Sequence, residues 1–102
     1  MNESSARHIR LTPSFVRCAK RLVKRNPGLA RLLRETIESL GADMHSPSLR
    51  SHRLKGELIG CWACRVTHGI RIVFELGSAQ TIDGVTAETI VLLAVGSHDA
   101  VY

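Results

Sequence analysis

The sequence has no apolar run long enough to cross a bilayer. A spanning helix needs about 20 such residues, and the longest run here is IVLLAV at 90–95. Aromatics are scarce, with two Phe, one Trp and one Tyr, so any core has to be built mainly from aliphatic side chains. There are only three cysteines, Cys18, Cys61 and Cys64. An odd and sparse set does not make a disulfide framework and points to reduced thiols. The opening MNESSARHIR lacks the apolar stretch of a secretory signal. These absences predict a cytoplasmic chain of one domain, residues 1–102, with no membrane attachment.

The last absence is of charge. No Lys or Arg follows Arg71. Up to that residue fourteen cations face five acids, a net of +9, while the last 31 residues carry four acids and no Lys or Arg. The whole chain carries +5 with a pI near 9.7. A basic body of this kind suits a polyanion, most commonly a nucleic-acid backbone.

Local patterns predict an α+β fold. RHIRL at 7–11 alternates as a short strand, with Ile9 and Leu11 toward a core. Thr12 then Pro13 read as the cap and first position of a helix, and Phe15, Ala19, Leu22 and Val23 keep helical spacing. RNPG breaks that helix and opens a second, capped by Asn26, with Leu29, Leu33, Ile37 and Leu40 as its inner stripe and Gly41 as its stop. The polar connector ADMHSPSLRSHRLKGELIG leads into CWACRVTHGIRIVFEL, a hairpin turning at THG. Trp62, Cys64, Ile70, Ile72, Phe74 and Leu76 fall on one face; Cys61, Ala63, Arg65, Arg71, Val73 and Glu75 fall on the other. GSAQTIDGVTAET reads as a polar loop, and TIVLLAVG (89–96) as a strand apolar on both sides, buried in mid-sheet. The expected order is β-α-α-β-β-β: a mostly antiparallel sheet with a two-helix hairpin packed on one face.

Several residues are candidates for chemistry. CWAC has the C-x-x-C form, but positions i and i+3 of a strand face opposite sides, so Cys61 and Cys64 do not share a metal, and none is expected. Arg65 and Arg71 flank one turn on the outward face. In register they stand side by side, and two cations held so await an anion such as phosphate. Arg50, Arg53 and Lys55 lie close by in sequence and extend the basic surface toward RNA. Of five histidines, His8, His45 and His68 read as surface groups. His52 and His98 have the ring chemistry for proton transfer at a phosphodiester if the fold sets them beside the arginines, with arginine offsetting charge at the phosphorus. Asp99 either orients His98 or is a turn acid. Tyr102 either closes the sheet edge or stacks on a base.

These residues also form a familiar series. HRLKGELIGCWACRV, GIRIVFEL and the terminal IVLLAVGSHDAVY resemble the RelE/YafQ-type toxins of bacterial toxin–antitoxin systems, over nearly the whole chain. The most specific pieces are H-x-L-x-G, R-I-V-F and G-S-H-D-x-V-Y. The resemblance implies the RelE-like microbial RNase fold. It also implies a ribosome-dependent endoribonuclease that cuts mRNA in the A site of the 30S subunit by 2′-hydroxyl attack, with no metal or cofactor, and an antitoxin partner. It matches His52, His98, Arg71 and Tyr102 to family positions. Arg65 and Gly69 stand where some YafQ-like members carry a further histidine and an aspartate, so a hybrid is expected: His98 and His52 for protons, Arg65 and Arg71 for charge. Two alternatives remain, a ParE-like gyrase poison and a basic RNA-binding module without catalysis.

Overall fold

A computed structural model describes residues 7–80 and 86–97. The elements are β1 (His8–Leu11), α1 (Pro13–Arg25), α2 (Leu29–Ala42), β2 (His52–Arg53), β3 (Cys61–Arg65), β4 (Ile70–Gln80) and β5 (Thr86–Ser97). They form one five-stranded sheet in the order β1-β5-β4-β3-β2. Only the β1–β5 pair is parallel; the others are antiparallel. This is the expected α+β architecture with one strand added, β2.

Both helices lie on one face of the sheet, over a core that combines Phe15, Leu33, Leu40 and Met44 with Cys64, Ile72, Phe74, Ile90, Leu92 and Val95. Each large side chain buried here contributes roughly 1.5–3 kcal/mol. The strands supply these residues by simple alternation except in β5, where Leu92 and Val95 both face the core. A bulge makes this possible. Val73 pairs with Ala94 but Phe74 pairs with Leu92, which leaves Leu93 as the extra residue.

Thr12 joins α1 to the sheet. Its hydroxyl donates to the Leu92 carbonyl at 2.8 Å and accepts from the Phe15 N–H at 3.1 Å, while its own N–H reaches the same Leu92 carbonyl at 3.2 Å. The cap predicted from sequence therefore also anchors the helix start to β5. At the other end of the ladder, Arg7 Nε bonds Glu88 Oε1 at 2.6 Å.

Four local expectations are corrected. Asn26 ends α1 rather than opening α2: its N–H still bonds the Leu22 carbonyl, and α2 begins at Leu29 after a Gly28 N-cap with no side-chain bond. Gly41 does not stop α2, which runs to Ala42. A Cβ at Gly41 would come within 3.3 Å of the Ile9 side chain, so the glycine lets α2 lie close to β1 without displacing Ile9. Leu11 is half exposed instead of buried. The polar stretch after Leu76 is not all loop, because β4 continues to Gln80 and β5 starts at Thr86. The two strands satisfy each other's backbone groups there, which needs no apolar face.

Thr12→Ala should cost about 1–2 kcal/mol, since both a cap and a half-buried tether are lost, whereas Thr12→Ser should keep most of it. Urea unfolding midpoints of the two variants check this.

Candidate functional site

The sheet face turned away from the helices carries the candidate site. Directly paired residues share a face, as do i and i+2 along a strand. Three cross-strand rows can therefore be read from the register. The first is His52–Ala63–Val73–Ala94. The second is Arg65–Arg71–Gly96. The third, on the other side of the first, pairs Cys61 with Glu75. Ala63 and Val73 on this face are buried, at 0% and 3% exposure, with His52 at the edge of their row and the arginines in the next row. His52 and Arg65 are diagonal neighbours across β2–β3, for which a Cα separation of about 7–8 Å is typical.

Arg65 and Arg71 are opposite one another in the ladder, as their spacing around the turn predicts. Neither takes part in the two salt bridges formed among the described residues, Arg7–Glu88 and Arg31–Glu35. The nearest acid in the β4 series on this face is Glu75, four residues from Arg71, roughly 13 Å along a strand. Two half-buried arginines are thus paired in the ladder, with no salt bridge to either among the described residues. They differ in employment. Arg71 Nη1 donates to the carbonyls of Thr67 and His68 at 2.9 and 3.0 Å, clamping the turn that joins β3 to β4. Its other guanidinium nitrogens take no part in this clamp.

His52 lies on the two-residue strand β2 and is exposed. Its Nδ1 is 3.0 Å from the Arg50 carbonyl. Strand β2 is too short to show a period of two, which is why the sequence read it as connector. The same connector hides two core residues, Met44 and Leu49, at 0% and 3% exposure. Ser51, next to His52, has a buried hydroxyl without a hydrogen-bond partner among the described residues.

The remaining predicted residues divide. Arg53 does not join His52: as the next residue in β2 it points to the helix side, where its guanidinium lies 5.3 Å from the Trp62 ring centroid. There it packs with Trp62, which also stacks on Phe74 at 6.4 Å and meets the edge of His45. Arg50 and Lys55 are exposed on either side of β2. His98, Asp99 and Tyr102 lie outside the described residues. β5 does bring Gly96 beside Arg71 one residue before its last, Ser97.

The cysteines behave as strand geometry requires. Cys64 is buried in the core, and desolvation pushes its thiol up to about 12. Cys61 is on the opposite face beside Glu75; burial and that carboxylate raise its thiol as well. A thiol held neutral in the fold adds stability that is present below its unfolded pKa near 9. That stability is lost as pH rises toward about 12. At pH 8 a small alkylating reagent should modify Cys18 and Cys61 in the native protein and leave Cys64 untouched until urea is added; mass spectrometry of the labelled peptides decides this.

No protein-family model matches the chain, and no curated protein does. Solved structures do. The YoeB/ParE toxin from Agrobacterium tumefaciens superposes with a TM-score of 0.69 at 14% identity, over 89% of this chain and 98% of that one. A metal-bound toxin from Helicobacter pylori gives 0.67 at 24% identity, over 93% and 98%. A chain of the E. coli DinJ-YafQ toxin-antitoxin complex gives 0.67 at 16% identity, over 94% and 97%. At such identities the likeness is one of backbone architecture, and the chain has the fold of the RelE/YafQ-type toxins.

Proposed function

We propose that this chain is an endoribonuclease toxin of a toxin–antitoxin pair, acting in the cytoplasm on mRNA held in the ribosomal A site. The observation that carries this reading is that the register sets His52 and the Arg65–Arg71 pair, which takes part in no salt bridge among the described residues, on the same sheet face. The likeness to toxin structures supports it, and the DinJ-YafQ complex is a precedent for an antitoxin partner. The basic first 71 residues suit both RNA and an acidic segment of such a partner.

The chemistry asked of the site is modest because RNA brings its own nucleophile. One imidazole takes the proton of the 2′-hydroxyl as that oxygen attacks the adjacent phosphorus. The P–O5′ bond breaks, and a second imidazole returns a proton to the departing 5′ oxygen. The products are a cyclic 2′,3′-phosphate and a free 5′-hydroxyl. In this reading His52 and His98 are the two imidazoles. Arg65, and the part of Arg71 not used in the turn, offset charge on the phosphoryl oxygens as it develops. Tyr102 supplies a stacking surface for a base, and Arg50 and Lys55 contact the flanking backbone. Arg53 has the weaker claim to RNA, since its side chain is engaged with Trp62.

Expression followed by primer extension on translated mRNA tests the reading. Cuts should appear in wild type, and His52→Ala or Arg65→Ala should lower cleavage at least about a hundredfold with little change in melting temperature. Intact mRNA with broken DNA would instead indicate a gyrase poison. Growth arrest that survives His52→Ala without cuts would indicate an RNA-binding module.

A further inference from the structure

We propose that Arg50 is a positioning residue: its left-handed backbone aims its carbonyl at His52 Nδ1 and so leaves Nε2 as the nitrogen that exchanges protons with a ligand. This rests on the reading of His52 as a proton-transfer group, and it adds which ring atom works and what holds it.

Among the described residues Arg50 alone, apart from glycines, has a positive φ, with φ 49° and ψ 42°. That region brings Cβ against the backbone and is one that Gly or Asn occupies more readily. The surroundings explain why the chain turns there. Leu49, immediately before, is held in the core at 3% exposure. It closes a single 3₁₀ turn, Pro47–Leu49, and the Arg50 N–H still reaches the Pro47 carbonyl at 3.3 Å. Two residues later, His52 must already pair with Ala63 in the sheet. A left-handed residue reverses the chain within that distance, and the reversal leaves the Arg50 carbonyl 3.0 Å from His52 Nδ1.

A carbonyl only accepts hydrogen bonds, so Nδ1 must carry the proton. The opposite tautomer would set two lone pairs against each other at that distance. Nδ1 is therefore occupied whether the ring is neutral or charged, and any proton gained or given to a ligand passes through Nε2. The ring is fixed at its root by the β2–β3 pairing and at one nitrogen by this bond. Both constraints act before any ligand arrives.

The ring nitrogens of the full chain, labelled with ¹⁵N-histidine, report the tautomer directly by NMR, with His52→Gln to assign the signals. With the ring neutral, the proton should lie on Nδ1 in wild type and in Arg50→Gly, which tolerates the left-handed backbone. Arg50→Val, whose branched side chain opposes it, should show mixed tautomers. In cleavage of translated mRNA it should also lose about tenfold in kcat, with KM within about twofold of Arg50→Gly. That comparison removes the charge of the side chain from the result. A wild-type ring with its proton on Nε2 overturns the proposal, and this measurement needs no variant to fold. So does Arg50→Val with an unaltered ring and unaltered kcat. A chain that cuts RNA with the wrong tautomer refutes the positioning role and keeps the nuclease reading. A chain with the proton on Nδ1 that cuts nothing upholds the positioning and refutes the nuclease reading.

Discussion

The register between β3 and β4 is the constraint on which the rest depends. Trp62 faces Phe74 and Cys64 faces Ile72 on the helix side, and Cys64, Ile72 and Phe74 are each 0% exposed. A slip of one residue would carry Arg65 or Arg71 into that core and send Cys64 or Ile72 to water, because side chains alternate with a period of two. Burying an unpaired guanidinium costs far more than any local gain returns. The hydrophobic face thus selects the register, and the register sets the two arginines side by side. The site's charge is a consequence of core packing on the opposite side of the same strands.

The bulge at Leu93 extends this logic to β5. It lets Leu92 and Val95 both enter the core, and beyond it the alternation resumes so that Gly96 stands beside Arg71. The Arg71 clamp on the turn carbonyls works in the same direction. It stiffens the loop between the paired arginines and costs Arg71 one of its nitrogens. Arg65, with no such bond to the turn, is the freer of the two toward an anion. The pair therefore combines one brace with one open cation, a division that a chain reading of two equivalent arginines does not contain.

The connector between α2 and β3 shows where local signals end. Its polar composition suggested a loop, yet it contributes Met44 and Leu49 to the core and His52 to the sheet. A two-residue strand has no periodicity to detect, and single apolar residues among Ser, His and Arg look like chance. Only contact with β3 makes Arg53 and His52 point to opposite faces, which divides two residues that their adjacency had grouped. The left-handed Arg50 was equally hidden, since no glycine or asparagine marks the position.

The amino-acid order alone determined the alternating faces of β3 and β4, the Arg65–Arg71 pairing, the cap at Thr12, the separation of Cys61 from Cys64 and the gathering of positive charge before Arg71. Each of these follows from spacing over a few residues, where backbone geometry leaves little choice. Tertiary structure decided what depends on distant partners: that β2 exists, that His52 joins the arginine face while Arg53 covers Trp62, that Gly41 makes room for Ile9 and that β1 lies parallel to β5. Those outcomes belong to the sheet as a whole, because a residue's neighbours across strands are set by pairing between segments tens of residues apart and by no property of its own sequence window.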